Sequence, residues 1–202
     1  MTVPPVGSLR EEKKRRTRVA ITAAATSLFT ARGFAAVTMT EIAAAADVAP
    51  RTLFRYFADK EDLLFDDGAE VDRTLRDVLA ARPADEPPAA AALAATLGLV
   101  PLWEQRHAEG RARRAVIEAS PALTARERGK QAEHESALAD GLVRRGVDPA
   151  AARLLARSAV VCFHEAAQRW LTDDDPHDPG LRARVLGTVT ELADALTAAR
   201  PQ

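Results

Sequence analysis

Six side chains between residues 38 and 60 carry the chemistry most legible in this chain: Thr38, Arg51, Thr52, Arg55, Tyr56 and Lys60. All are hydrogen-bond donors, three of them cationic, within 23 residues. Guanidinium groups such as those of Arg51 and Arg55 match guanine O6 and N7 in a major groove. The Thr52 side chain suits a thymine methyl or a phosphate. Tyr56 and Lys60 suit the flanking backbone, which positions a protein without specifying sequence.

Two short helices and a tight turn must hold these groups. Thr38 and Glu41 have capping-box spacing, so a helix is expected over Met39–Ala46 with Ile42, Ala43 and Ala46 inward. Asp47 stands where the chain must turn, a place usually given to glycine; Asp tolerates the left-handed region better than most residues. Val48 plugs the space between the helices. The next helix starts near Pro50, where a missing N–H costs nothing. Leu53 and Phe57 then face the core, and Arg51, Thr52 and Arg55 face out. Asp59 with Asp62 repeats the capping pattern for a following helix. The N-termini of the helices after Thr38 and after Lys60 point partial positive charge towards phosphates.

Ahead of this stretch, Ser8 and Glu11 form another capping pair. Lys13, Lys14, Arg15, Arg16 and Arg18 crowd the helix that follows, and Ile21, Ala24, Ala25, Leu28 and Phe29 share one face. Gly33 ends it. Beyond Lys60, helices are expected over 61–81, 89–107 with a kink or break at Pro101, 110–119, 121–146, 149–171 and 181–199, about nine in all. The breaker-rich segment 82–88 and the acidic loop 173–180 separate them. Apolar residues make up 47% and aromatics only 4% of the 202 residues, so alanine and leucine build the core of an all-α protein.

Charge is divided along the chain. Residues 1–60 hold ten Lys or Arg against five Asp or Glu, a net of +5; residues 61–202 hold 18 against 24, a net of −6. A basic head on an acidic body suits a molecule that meets phosphate at one end. The single cysteine, Cys162, rules out an intramolecular disulfide framework and a multi-cysteine metal site. The first residues have no apolar run and no later run is long enough to span a bilayer, so a cytoplasmic protein with no membrane partner is expected.

Catalytic readings find little support. His164-Glu165 begins like a zinc-protease helix, but residue 168 is Gln where the second histidine belongs. Cys162 sits in an apolar helical stretch and reads as core. No catalytic residues, metal ligands or cofactor are expected.

Phe29, Gly33-Phe34, Thr38, Ile42-Ala43, Ala46, Val48, Thr52-Leu53-Phe54-Arg55-Tyr56-Phe57, Lys60 and Leu63-Leu64 together resemble the DNA-binding domain of TetR-family transcriptional regulators. The resemblance covers about residues 15–65. It implies DNA contacts from Thr38, Thr40, Arg51, Thr52, Phe54, Tyr56 and Lys60. Phe54 replaces the family's common tyrosine, exchanging a hydroxyl for an apolar contact. The implied organisation is a disordered tail (1–8), a three-helix helix-turn-helix domain (9–60) and a helical bundle for ligand binding and dimerisation (61–202).

The implied function is a ligand-responsive regulator, a repressor that binds a palindromic double-stranded operator as a homodimer and is released by a small molecule. An activator of the same architecture, or a helical enzyme or scaffold with a vestigial head, are the alternatives. Leu154, Leu155, Ser158, Val161 and Cys162, with Leu181, Val185, Val189, Leu192 and Leu196, form two apolar stripes suited to a four-helix dimer interface. Trp103, His107, Arg114, Glu118, His134, His164 and Trp170 are candidate effector contacts, each of which also reads as a surface or satisfied core group. Arg111, Arg113 and Arg114 could meet a phosphate-bearing ligand, although a solvated basic face is favoured. ERGKQAEHESALADGL and HEAAQRWL resemble members that accept acyl-CoA-like ligands.

Overall fold

The computed structural model describes residues 6–173 and 177–199, without the side chains of residues 6–8 and 11. Among the described residues there are ten helices and no strand. They are α1 (Val6–Arg32), α2 (Met39–Ala45), α3 (Pro50–Tyr56), α4 (Gly68–Ala80), α5 (Pro88–Leu97), α6 (Val100–Glu104), α7 (His107–Glu118), α8 (Pro121–Arg144), α9 (Pro149–Thr172) and α10 (Leu181–Ala198).

Four places bear on the sequence expectation. The break expected near Pro101 is present: α5 ends at Leu97, and Pro101 lies in the first turn of a new helix, where its missing N–H is harmless. α1 starts at Val6, so residues 6–8 are helical and not tail; residues 1–5 and the Ser8–Glu11 side-chain pair lie outside the described residues. No α-helix begins directly after Lys60. There the Asp59 carboxylate accepts the Asp62 N–H (2.8 Å) and the Asp62 carboxylate accepts the Ala58 N–H (3.1 Å). These local bonds hold a run of turns. Adjacent Leu63 and Leu64 are both buried, and α4 starts only at Gly68, so its N-terminus is eight residues past Lys60. The acidic loop before α10 lies partly outside the described residues.

The chain forms two compact units. One comprises residues up to Asp66 together with Ala112–Thr124; the other comprises Asp67–Arg111 and the chain from Ala125. The first unit therefore reaches past residue 60 and takes in a segment from the middle of the chain. Its core explains why: Ile21, Phe29, Val37, Ile42, Leu53, Phe57, Leu63 and Leu64 pack with Val116, Ile117 and Leu123. A unit this small is short of apolar surface to bury, and the inserted residues add to its core.

The second unit is built around α9, which packs on α5 and α10. Ala152, Ala156, Ala166 and Ala167 on α9 are fully buried and allow close helix approach, while Val160, Phe163 and Trp170 fill the remaining space. Asp148 caps α9 by accepting the Ala150 and Ala151 N–H groups at 3.0 Å. Arg145, at the end of α8, donates to the Leu79 and Arg82 carbonyls (3.2 and 3.0 Å) and so satisfies the C-terminal end of α4. No helix among the described residues is long and apolar enough to cross a membrane.

Candidate nucleic-acid interface

Thr38 is the N-cap of α2. Its hydroxyl oxygen accepts the Glu41 N–H at 3.3 Å, and the Glu41 carboxylate accepts the Thr38 N–H and O–H, each at 2.8 Å. Arg32 pairs with the same carboxylate at 2.8 Å. The hydrogen bond from the Thr38 backbone, then that from its hydroxyl and the Arg32 guanidinium, hold the Glu41 carboxyl down at about 2. The unfolded chain lacks these donors. The stability Glu41 contributes is therefore full above the ordinary carboxylate range and is lost as pH falls through it towards about 2. Urea midpoints of the protein and of E41Q should differ at neutral pH and converge by pH 2. A difference that persists unchanged to pH 2 would contradict this.

The turn between α2 and α3 is a Schellman motif. The Val48 N–H reaches the Ala43 carbonyl (3.0 Å) and the Asp47 N–H reaches that of Ala44 (3.2 Å). Asp47 occupies the left-handed position with φ 52°, the only non-glycine to do so among the described residues. α3 follows with Pro50 in its first turn. Leu53 and Phe57 are buried, so successive 100° steps leave Phe54, Arg51, Arg55 and Thr52 around the opposite arc. Arg51 and Arg55 are exposed, and Phe54 is 55% exposed. The Arg55 guanidinium lies 5.4 Å from the centre of the half-buried Tyr56 ring. Thr40 is exposed in the first turn of α2, and Thr52 is half-buried. A short helix with its outward arc free presents side chains at groove depth.

Lys60 occupies a different place from a free backbone clamp. Its ammonium donates to the Phe34 carbonyl at 2.7 Å and the Val37 carbonyl at 3.0 Å, and sits 4.3 Å from the centre of the Phe34 ring. Phe34 stacks on Phe29 with centroids 5.0 Å apart. Two of the three ammonium donors thus tie down the α1–α2 connection. Sequence spacing gave no sign of this, because the partners lie 23 and 26 residues away. Arg18 likewise leaves the basic cluster of α1: it pairs with Asp66 and covers the Phe57 ring at 5.1 Å.

The candidate effector contacts fall in both units. In the second unit, Trp103 meets Phe163 edge-on (5.5 Å) and His107 meets Trp170 (4.3 Å), two ring pairs one heptad apart along α9. His134 pairs with Asp72 at 2.7 Å, and His164 contacts Gln168, the residue standing where a zinc-binding histidine would be. Arg114 and Glu118 belong to the first unit and pair with each other at 2.7 Å. The arginines of α7 are half-buried and not a solvated face; Arg113 donates to the Leu64 carbonyl at 3.2 Å. The Cys162 thiol is buried, and its pKa is pushed up by that burial and by Glu165, which removes it further from nucleophile chemistry.

The profile described as "Bacterial regulatory proteins, tetR family" matches residues 21–66, the segment holding α2, α3 and most of the first core. The HTH-type transcriptional regulator TcmR of Streptomyces glaucescens is 36% identical over 154 residues, which span 73% of this chain and 68% of TcmR. The chain therefore belongs to the TetR family, and it is a DNA-binding transcriptional regulator of the helix-turn-helix type. Its fold recurs in a putative TetR-family regulator from Syntrophomonas wolfei (TM-score 0.65, 13% identity, 93% of this chain and 98% of that one). It also recurs in Thermus thermophilus FadR, solved with lauroyl-CoA (TM-score 0.52, 24% identity, 87% and 93%).

Proposed function

We propose that the chain is a ligand-released repressor whose homodimer reads a palindromic operator through two copies of α3, with no catalytic step of its own. In this reading residues 9–60 are the DNA-binding head, completed by the inserted α7–α8 segment, and 61–202 hold the effector and the dimer interface. The observation that carries the reading is the outward arc of α3, where Arg51, Phe54 and Arg55 stand exposed above buried Leu53 and Phe57. Thr38, Thr40, Thr52 and Tyr56 flank that arc. An effector with an extended apolar part suits the ring pairs of Trp103 with Phe163 and His107 with Trp170. The FadR bound to lauroyl-CoA makes an acyl-CoA-like molecule the first ligand to try. Such a ligand can release DNA only by binding the released state more tightly. A protein of this kind works in the cytoplasm, beside the DNA.

Selection of bound fragments from random duplex DNA tests this. The expected product is a palindrome with half-sites about one helical turn apart. R51A and R55A should each cost about 1–3 kcal/mol and relax preference at their own base positions. Recovery of fragments without common sequence would overturn the reading.

A further inference from the structure

The first part of α1 stands clear of the core. From residue 9 to residue 20 no described side chain is buried, and the first core residue on the helix is Ile21. At 1.5 Å per residue, the stretch from Val6 to Ala20 is roughly 22 Å long. Its two faces differ. Glu12, Arg15, Arg16 and Val19 lie on the side away from Ile21. There Glu12 binds Arg15 at 2.8 Å and Arg16 at 2.9 Å, so one carboxylate offsets half of the charge on this face. On the other side, steps of three and four lead back from Ile21 to Thr17, then to Lys13 and Lys14, then to Arg10. The helical stripe that buries Ile21, Ala25 and Phe29 thus continues, beyond the core, as a row of cations. Arg10, Lys13 and Lys14 are all exposed.

The position of this row follows from Arg18. Its guanidinium covers Phe57, the C-cap of α3, and pairs with Asp66. α1 therefore passes the C-terminal end of α3 at Arg18, and the cationic row overhangs past that point. A duplex lying along α3 has its flanking phosphates there. The charge of the row is of the right sign to meet them.

We propose that Arg10, Lys13 and Lys14 form a second DNA-contact surface, gripping the phosphate backbone of the duplex that flanks the α3 contact. This rests on the reading above, that α3 meets the operator. The row fixes no bases: it adds affinity and salt dependence without adding sequence preference.

The test uses the full chain and the selected duplex at several salt concentrations. In R10Q/K13Q/K14Q the slope of log K against log salt should fall by about 0.9 for each lost phosphate contact, with affinity falling on the order of tenfold at 0.1 M salt. The base preference should stay as it was. R15Q/R16Q, on the face where Glu12 already holds both guanidinium groups, should change the slope much less. Trimming the duplex to the two half-sites should weaken the unaltered protein and leave R10Q/K13Q/K14Q nearly unaffected. Glutamine is a good helix former, and circular dichroism checks that α1 persists. Equal losses in both variants would reduce the effect to net charge and overturn the proposal. So would an unchanged slope in R10Q/K13Q/K14Q, or binding of the row to phosphatidylserine vesicles with no effect on DNA. If R51A and R55A still relax base preference while the slope is unchanged, only the α1 surface fails; if the unaltered protein selects no sequence, the operator reading fails as well.

Discussion

Aspartate in place of both Leu192 and Leu196 is expected to leave a folded monomer whose affinity for a two-half-site duplex falls by about a hundredfold or more. The reason lies in the last third of the chain. Every described residue of α10 from Thr190 onward is exposed, including Leu192 and Leu196, the latter at 64%. Leu154 (69%) and Val161 on α9 are exposed as well, and α9 packs beside α10. Such a row of large apolar side chains marks an interaction surface. Covering it with its own copy gains about 1–2 kcal/mol for each leucine, counted twice by symmetry. Four carboxylates in the same place oppose association. In the proposed homodimer, two linked heads would hold a palindrome far better than one, by the effective concentration of the second contact, so loss of that dimer would carry a large penalty in DNA affinity. Sedimentation velocity and a titration of the duplex measure the two effects together. V185D is the contrast: Val185 is fully buried within the monomer and its aspartate variant should unfold. If L192D/L196D still sediments as a dimer, the interface lies elsewhere.

That contrast also marks the limit of what periodicity tells. Leu181, Val185, Val189, Leu192 and Leu196 form one stripe in the sequence, and the structure divides it. Leu181 and Val185 are fully buried against the core of their own unit, and Val189 is half-buried. Leu192 and Leu196 are left outside. Cys162 and Leu155 likewise turn inward on α9, while Leu154 and Val161 face out. A helical stripe shows that something covers it, not whether the cover is the same chain. The helices themselves were legible because capping and breaking residues are local: Thr38 and Glu41, Pro50, Asp148-Pro149 and Gly33 each act within about four residues of the boundary they set. Asp47 was legible for the same reason. The start of α4 was not, since Asp59 and Asp62 form the side-chain bonds of a cap without a helix following. The insertion of Val116, Ile117 and Leu123 into the first core was also hidden, because burial of residues so distant in sequence leaves no local signal.

The candidate site shows the same division. Arg51, Arg55 and Phe54 were placed outward by the burial of Leu53 and Phe57, a matter of helix phase alone. Lys60 depended on a loop far behind it. Its substitution by methionine, which keeps the aliphatic stem and removes the charge, should destabilise the first unit by about 2–4 kcal/mol. Hydrogen bonds from a charged donor contribute about 1.5–3 kcal/mol each, and partial exposure places these two towards the lower end. The Phe34 ring adds about 0.5–1 kcal/mol through its attraction for the cation. The loss leaves the Phe34 and Val37 carbonyls without the ammonium and frees the connection that leads into the Thr38 cap. Hydrogen exchange should therefore quicken first in α2 and its preceding loop, residues 33–45, before α9. In the cold, where the unit stays folded, the salt dependence of DNA binding by K60M should match that of the unaltered protein. A phosphate clamp behaves oppositely: the salt slope would fall by about 0.9 and the melting temperature would hardly move. Arginine at the same position is the discriminating companion. Its broad planar fork cannot enter the gap that a compact ammonium fills between the two carbonyls, although it meets phosphate at least as well. If Lys60 is a staple, K60R melts early despite its charge; if it is a clamp, K60R binds DNA as well as the original and melts with it.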